Sequence, residues 1–229
     1  MQAQATVAEL CFVGGLHSVF VACDLSAVPA PGRYVLAHEA ASAAPLAAEL
    51  FAAEYRQGGF VAAPPVPKEW RPGSVLDLRG PLGIGFDMPR GVRRVALIAF
   101  NDDAARLLPL AGSAAEQGAA IALVCKDPPG DLPLQLEIHP PRALAEVLAW
   151  AEYIAIDVEA GSLSALRAAL GQTAGLGRGR SAQALVRVPM PCGGLAECGV
   201  CSVRTAKGPR LACVDGPVFE LELLIGERQ

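Results

Sequence analysis

Four cysteines near the C-terminus have a spacing that could hold a metal centre. They are Cys192, Cys198, Cys201 and Cys213, arranged as C-x5-C-x2-C-x11-C. Three thiolates on one tight loop and a fourth across a short hairpin can enclose a two-iron cluster in which each iron takes two cysteines. The sequence therefore predicts a 2Fe–2S cluster on these four residues.

Three glycines lie between these cysteines and have a physical role in the same prediction. Gly193, Gly194 and Gly199 let the backbone wrap closely and point N–H groups at the sulfurs. Such hydrogen bonds partly neutralise a cluster that carries negative charge. We therefore predict that these glycines contribute to the cofactor-binding loop, while no residue of the chain is predicted to be catalytic.

A structural zinc ion is the main alternative for these four thiolates. Zinc ribbons usually carry two C-x2-4-C knuckles, and this loop has one, which favours iron–sulfur. The cysteines could also be unliganded. The remaining three, Cys11, Cys23 and Cys125, lie singly in apolar stretches and are predicted to be small buried hydrophobic residues.

Composition and charge exclude several classes of partner. The 229-residue chain has a net charge of −4 and no basic run, so no nucleic-acid partner is expected. No apolar run reaches the ~18 residues of a membrane span. The first ten residues also lack the features of a signal peptide, and seven cysteines in such a chain do not indicate a disulfide framework. We expect a cytoplasmic protein.

The elements that position the cysteine loop fall into three predicted domains. Residues 1–90 contain short apolar or alternating runs separated by Gly and Pro, which predict a small antiparallel β-barrel. Residues 39–56 are rich in Ala, Leu and Glu and are predicted to be a helical excursion from it.

Downstream of the predicted barrel, apolar runs alternate with helical patterns. Residues 91–172 therefore predict an α/β domain with a parallel sheet, beginning with a strand at 95–100 and a helix at 102–117. Further strands are predicted at 119–125, 134–138 and 153–158, and helices at 142–151 and 163–170. A Gly-rich linker at 171–180 leads to the cluster module, residues 173–229.

Several motifs together resemble the electron-transfer subunit of the two-subunit dihydroorotate dehydrogenase, a ferredoxin-reductase-like flavoprotein family with a C-terminal 2Fe–2S module. The fourth cysteine is followed by Asp215-Gly-Pro-Val-Phe, as in that family. Gly80-Pro-Leu-Gly-Ile-Gly-Phe resembles the motif that closes the family's flavin barrel, and Pro31-Gly-Arg-Tyr-Val-Leu stands where the family has Pro-Gly-Gln-Phe and a strand. The chain is similar to a divergent member, with one more residue between Cys192 and Cys198 than the usual C-x4-C.

The flavin and nucleotide motifs of that family are replaced. Its Arg-x-Tyr/Phe-Ser/Thr motif should fall near residues 45–55, where no arginine stands, and its Gly-x-Gly-Thr loop has no match in residues 56–70. Asp102 and Asp103 occupy the place of the dinucleotide glycines, where they would cap the helix and repel phosphate. Asp157-Val-Glu-Ala-Gly stands in place of the Cys-Gly-Pro that usually follows the last strand. NAD(P)H binding is not expected, and retention of FAD stays open as an alternative.

The resemblance implies an accessory iron–sulfur subunit of an oxidoreductase complex linked to pyrimidine biosynthesis. It would relay electrons between a catalytic flavoprotein partner, similar to the FMN-containing dehydrogenase subunit, and an acceptor. The family precedent implies a hetero-oligomer. Two alternatives remain: a subunit with FAD and a 2Fe–2S cluster that carries out a full relay, and a zinc-stabilised scaffold or regulatory subunit without redox chemistry.

Overall fold

A computed structural model describes residues 2–101, 103–128, 130, 132, 136–171 and 181–226 of the chain. The N-terminal part is a closed antiparallel barrel with the strand order β1-β2-β5-β4-β3-β6. Its strands are β1 Gln2–Val13, β2 Leu16–Ala22, β3 Tyr34–Glu39, β4 Ala48–Arg56, β5 Gly59–Ala62 and β6 Val75–Leu82. The predicted barrel is confirmed, and it has its own core around Phe60, Trp70 and Leu76.

The helix predicted at residues 39–56 is wrong, because the second half of this stretch is strand β4. Leu50, Phe51, Ala52 and Ala53 are buried in succession, and the strand pairs with β3 on one side and β5 on the other. The helical preference of Ala, Leu and Glu amounts to only tenths of a kcal/mol per residue. Burial and hydrogen bonding to two neighbouring strands outweigh this preference.

The second part is an α/β sandwich built on one sheet with the strand order β14-β11-β10-β7-β8-β9. The elements up to residue 171 are β7 Arg94–Ala99, α1 Leu108–Glu116, β8 Ala120–Val124, β9 Leu136–His139, α2 Leu144–Trp150, β10 Tyr153–Glu159 and α3 Leu163–Gly171. Strands β9, β8, β7, β10 and β11 pair in parallel. The predicted parallel sheet is thus confirmed, with the start of the strand predicted at 134–138 outside the described residues.

The first helix of this part begins later than the sequence predicts. A 3₁₀ turn at Ala105–Leu107 precedes α1, which starts at Leu108. Asp103 accepts a hydrogen bond from the Ala105 N–H at 3.1 Å, so it caps the 3₁₀ turn and not the α-helix. Asp102, the second predicted capping residue, lies outside the described residues, as does the predicted linker at 172–180.

The C-terminal segment contributes two strands to the α/β sheet. Its elements are β11 Ser181–Arg187, β12 Ser202–Thr205, β13 Gly208–Leu211, α4 Ala212–Asp215, β14 Val218–Glu220 and α5 Leu221–Ile225. Strand β11 extends the parallel sheet next to β10, and β14 adds to its edge antiparallel to β11. The two strands that flank the cysteine segment therefore belong to the sheet, while β12 and β13 form a separate hairpin.

A buried ion network holds the barrel against the α/β domain. Arg106 pairs with Asp103 and, at 3.6 Å, with the fully buried Asp157, and its other terminal nitrogen donates to the carbonyl of Pro64 in the barrel. The guanidinium also lies 5.6 Å from the ring centroid of Phe51 on β4. Burial raises the pKa of Asp157 to about 6 despite the attraction of Arg106 and Arg187.

Replacing Arg106 should destabilise the protein in a pH-dependent way. Because Arg106→Met leaves the Asp157 carboxylate without one of its buried counter-charges, we expect a loss of about 3–5 kcal/mol near pH 7.5. Asp157 has a folded-state pKa above its unfolded value, so its contribution to stability falls as the pH rises from about 4 to about 6. Without Arg106 the pKa of Asp157 rises further and this loss continues above pH 6.

Urea unfolding of the unchanged protein and of Arg106→Met near pH 5 and pH 7.5 measures the free energy of unfolding. The difference between the two proteins should be larger at the higher pH. Arg94→Met is the matched control, because Arg94 pairs with Glu152 at 3.1 Å on the surface. Such a pair contributes less than about 1 kcal/mol. Equal losses in the two variants would show that the buried network does not stabilise the domain interface.

Candidate metal centre and interdomain cleft

The cysteine loop lies between β11 and the β12–β13 hairpin, and the fourth cysteine follows the hairpin on α4. The Ala212 N–H donates to the carbonyl of Cys201 at 3.0 Å, which brings the start of α4 against the end of the loop. Cys201 and Cys213 are buried, Cys192 is half-buried and Cys198 is exposed. Eleven residues separate Cys201 from Cys213 in sequence, and the hairpin formed by these residues brings the two cysteines together.

The four thiols come together as two neighbouring pairs. Cys192 interacts directly with the side chain of Cys198, and Cys213 interacts directly with that of Cys201. Cys213 also experiences the charge of Cys192. Among the residues that the structure describes, no three His, Cys, Asp or Glu side chains converge as ligands of one metal ion.

Backbone N–H groups of the loop point at these sulfurs. Those of Glu197, Cys198 and Leu195 hydrogen-bond to Cys192, and with the Cys198 side chain they lower the pKa of the Cys192 thiol to about 6. Burial and the neighbouring Cys201 raise the pKa of Cys213 to about 11, while the Ala196 N–H acts in the opposite direction. A hydrogen-bonded thiolate is the form in which cysteine binds metals, and amide donors stabilise the negative charge of a metal–thiolate centre.

Left-handed backbone conformations turn the loop around the thiols. Gly193, Gly194 and Gly199 have φ angles of 68°, 74° and 68°, and Ala196 adopts 62° although it carries a side chain. A Cβ added at Gly194 would lie 3.1 Å from Tyr34 Oη, whereas one added at Gly199 would meet nothing within 4 Å. The wrapping role predicted for the glycines agrees with these angles, and their role in cofactor binding stays a prediction.

Three barrel residues hold the loop in place. Arg79 on β6 donates from Nη1 to the carbonyl of Gly193 at 2.6 Å, and Tyr34 on β3 donates from its hydroxyl to the carbonyl of Cys213 at 3.3 Å. Glu49 on β4 accepts the Met190 N–H at 2.5 Å. Burial raises the pKa of Glu49, an effect that the Met190 N–H and Arg106 counteract. The barrel therefore fixes both ends of the segment that carries the cysteines.

These anchors were not identified in the sequence. Tyr34 lies within the Pro31-Gly-Arg-Tyr motif that carried part of the family resemblance, so a signal for it existed. Arg79 and Glu49 stand alone in strands at positions that no motif singles out. Their contacts span 114 and 141 residues of sequence, and no local pattern reports on pairs so far apart.

An apolar rim surrounds the cysteine pairs. It consists of three exposed side chains, Leu195, Val200 and Val214, which are 53%, 53% and 45% exposed. Val200 and Val214 are each adjacent to a cysteine in sequence, and Leu195 lies three residues from Cys192 and from Cys198. Apolar side chains grouped around a polar centre are typical of protein-docking surfaces.

A cleft of about 560 Å³ lies between the barrel and the α/β domain, next to the cysteine loop. Its walls come from β4, the turn after β5 and the segment after β11, which ends at Met190. This volume lies within the range of small-molecule sites. We therefore tested whether its charged residues fit the flavin dinucleotide that the fold family implies.

The two arginines that line this cleft are already paired with carboxylates. Arg187 binds Asp157 at 2.7 Å and Glu159 at 3.2 Å, and Arg106 is held by Asp103, Asp157 and the Pro64 carbonyl. A pyrophosphate needs guanidinium or backbone donors that are free to bind it. The charged residues of the cleft therefore do not fit a dinucleotide.

The remaining candidates for binding phosphate are also engaged. Arg56 pairs on the surface with Glu9 at 2.7 Å and Glu54 at 2.9 Å, and Tyr55 donates its hydroxyl to the Pro29 carbonyl at 3.0 Å. In the α/β domain, Asn101 follows β7 and binds Ser162 Oγ and the Glu159 N–H. The side chains of Asn101 and Asp103 thus lie in the segment that directly follows strand β7.

Comparison with known proteins identifies the cysteine segment. Residues 190–225 match the family model described as the iron–sulfur cluster binding domain of dihydroorotate dehydrogenase B. No curated protein matches the sequence. The match covers all four cysteines and the hairpin between them.

Solved structures establish the fold of the whole chain. An NADH-dependent reduced ferredoxin-NADP oxidoreductase superposes with a TM-score of 0.70 at 17% identity, over 96% of this chain and 88% of that one. The FAD/NAD binding domain of nitric oxide dioxygenase from Vibrio cholerae gives 0.58 at 13% identity, over 82% and 99%. Phthalate dioxygenase reductase gives 0.55 at 10% identity, over 80% and 67%.

Together these findings confirm a ferredoxin-reductase-like fold and the resemblance to the electron-transfer subunit of two-subunit dihydroorotate dehydrogenase. In the same comparison the iron–sulfur prediction is confirmed at the level of the domain family. Among the described residues, no helix has the length and apolar character needed to cross a bilayer.

The two loop glycines allow a matched test of loop packing. Both Gly194→Ala and Gly199→Ala force a side chain into a left-handed conformation, which costs about 1–2 kcal/mol. Only Gly194→Ala also crowds Tyr34 Oη and Leu82. We expect Gly194→Ala to lower the thermal midpoint more than Gly199→Ala and to release bound metal faster to a chelator. Equal behaviour of the two variants would contradict close packing of the loop on the barrel.

Proposed function

We propose that this chain, whose C-terminal segment belongs to the iron–sulfur cluster binding domain family of dihydroorotate dehydrogenase B, is an electron-transfer subunit. It relays single electrons between a partner flavoprotein dehydrogenase, similar to dihydroorotate dehydrogenase, and an acceptor. One observation carries this proposal: the matched segment holds all four cysteines, with the side chain of Cys192 beside that of Cys198 and that of Cys201 beside that of Cys213.

The pairing of the thiols supports a 2Fe–2S cluster over a single zinc ion. In a two-iron cluster each iron takes two cysteines, as the two pairs would supply. A structural zinc site needs four thiolates converging on one ion. When bound, the cluster supplies one-electron redox chemistry. The chain's own contribution is to hold the four sulfurs, to direct amide N–H groups at Cys192 and Cys213, and to bury Cys201 and Cys213 away from water.

The chain performs this role without FAD or NAD(P)H. Both arginines of the interdomain cleft are committed to carboxylates, and Asp103 stands at the end of the strand where a dinucleotide needs bare backbone. The barrel and the α/β domain then act as a scaffold that positions the cysteine loop. FAD bound through other contacts would convert the chain into a full relay, and the experiment below distinguishes the two.

The apolar rim supports docking of the flavoprotein partner at the cluster. Leu195, Val200 and Val214 are exposed and close to the cysteines in sequence, and a partner that approaches the exposed Cys198 would bury them. In this arrangement the flavin of the partner and the cluster come within the short distance that electron transfer requires.

Anaerobic purification followed by metal, sulfide and flavin analysis tests the cofactor. We expect about two irons and two sulfides per chain, as a 2Fe–2S cluster contains, together with visible charge-transfer absorption and no extractable flavin. Cys201→Ser should abolish or greatly reduce the absorption because it removes one buried ligand, while Cys23→Ser in the barrel is the matched control and should leave it intact. Zinc in a colourless protein would overturn the proposal, and stoichiometric FAD would instead establish the full relay.

Co-purification from the native host tests the docking surface. Val200→Asp and Leu195→Asp place a charge in the apolar rim, and we expect each to reduce recovery of the flavoprotein partner at least about tenfold, equivalent to about 1.4 kcal/mol or more. Leu25→Asp is the control, because Leu25 is 88% exposed on the barrel and its replacement buries no charge in the proposed interface. Iron content must stay unchanged in all three variants. Undiminished recovery with the rim variants would place the partner elsewhere.

A further inference from the structure

The β12–β13 hairpin carries a group of cations that the proposed function does not use. Arg204 lies on β12, Lys207 in the turn and Arg210 on β13, and all three side chains are exposed. The hairpin connects Cys201 directly to Cys213, so these cations lie on the structure that spans one cysteine pair. We refer to Arg204, Lys207 and Arg210 as the basic hairpin.

The charge of the basic hairpin is weakly compensated. Arg210 lies 3.9 Å from Asp215, and both side chains are largely open to solvent. Within the part of the chain that the structure describes, neither Arg204 nor Lys207 forms a side-chain hydrogen bond or ion pair. The whole chain carries a net charge of −4, so this hairpin has the opposite sign from the rest of the molecule.

The hairpin is held in a defined conformation. Thr205 Oγ1 donates to the Gly208 carbonyl at 2.6 Å and accepts the Lys207 N–H at 3.2 Å, which fixes the turn. Arg167 on α3 donates to the carbonyl of Leu224 at 2.5 Å and to that of Arg204 at 3.2 Å, which ties β12 to the α/β domain. A surface that is already ordered loses less conformational entropy when it binds a partner.

A groove beside the hairpin provides space for a partner's side chains. It has a volume of about 760 Å³ and is lined only by hairpin residues, among them Arg204, Lys207 and the hydroxyl-bearing Ser202. Guanidinium, ammonium and hydroxyl groups are donors suited to carboxylates. The groove therefore fits acidic side chains, and Ser202 in its lining directly follows Cys201 in sequence.

We propose that the basic hairpin is the docking surface for an acidic electron-carrier protein, which is the acceptor in the relay. This inference rests on the proposed function. Each encounter moves one electron: the reduced iron centre of this chain is oxidised by one electron and the ferric centre of the carrier becomes ferrous. No bond forms or breaks and no proton moves. The partner flavoprotein, docked at the apolar rim, supplies the electron.

Charge complementarity selects a protein carrier over a nucleic acid or an anionic membrane. Three cations on one hairpin in an acidic chain are few compared with the 6–10 phosphate contacts that many DNA-binding proteins make. Opposite charges on two proteins steer their encounter and set its salt dependence. Binding to a phosphate-rich polymer that exceeded binding to an acidic protein would overturn the assignment.

Two haem proteins of opposite charge make the test specific. The chain is reduced with dithionite under anaerobic conditions and mixed with an acidic haem protein of the cytochrome b5 type or with basic cytochrome c, and haem reduction is followed by absorption. We expect the rate constant for the acidic carrier to fall as the ionic strength rises. Arg204→Glu/Lys207→Glu should lower that rate about tenfold or more at low salt and raise the rate with cytochrome c.

The control and the binding measurement separate this inference from the proposed function. Lys68→Glu/Arg90→Glu makes the same change in net charge at exposed residues outside the cluster module, and it should alter both rates far less than the hairpin variant. Calorimetric titration with the acidic haem protein measures affinity even if no cluster is present. Equal effects of the two double variants would overturn the docking proposal. If the chain binds the carrier but holds no iron, the proposed electron-transfer function is wrong and the basic hairpin remains a docking surface.

Discussion

Four cysteine side chains in one short segment repel one another when they ionise to thiolates. Much of this structure serves to offset that repulsion. A thiolate next to other thiolates is unfavourable unless donors or a metal compensate it. Here the amide groups of residues 195–198 point at Cys192 and Cys213. The loop keeps that shape because Arg79, Tyr34 and Glu49 of the barrel form hydrogen bonds to it, although they are far away in sequence. The cysteine segment depends on the whole fold although its own sequence carries the ligands.

Charged side chains between the two domains are committed to internal ion pairs. Asp157 lies near the carboxyl end of β10 and Arg187 at that of β11, the side of a parallel sheet where proteins of this architecture bind dinucleotides, and Arg106 reaches them from the 3₁₀ turn before α1. In this chain they bind one another and the Pro64 carbonyl, and so connect the two domains. A cation that neutralises a buried carboxylate is not free to bind phosphate, because separating the pair would leave a buried charge uncompensated. Domain cohesion and dinucleotide binding therefore compete for the same side chains.

The cluster module presents two surfaces with different chemistry. The apolar rim beside Cys198 favours a partner that stays bound, since burial of apolar area slows dissociation. The basic hairpin favours rapid encounters that depend on charge and are weakened by salt. In the proposed relay this difference matches the two tasks, because a dehydrogenase subunit remains in the complex while a carrier must arrive and leave.

The sequence alone predicted the four cysteine ligands and determined the class of fold, because both depend on local features. The spacing of the four cysteines, the continuous apolar runs of parallel strands and the glycines of the loop are properties of short segments. Only the tertiary structure decided that β4 is a strand and not a helix, since pairing with β3 and β5 outweighs its helical composition. It also decided that β11 and β14 join the α/β sheet and that Arg106 is a buried bridge between domains. Each of these depends on contacts between residues remote in sequence, and no local pattern encodes them.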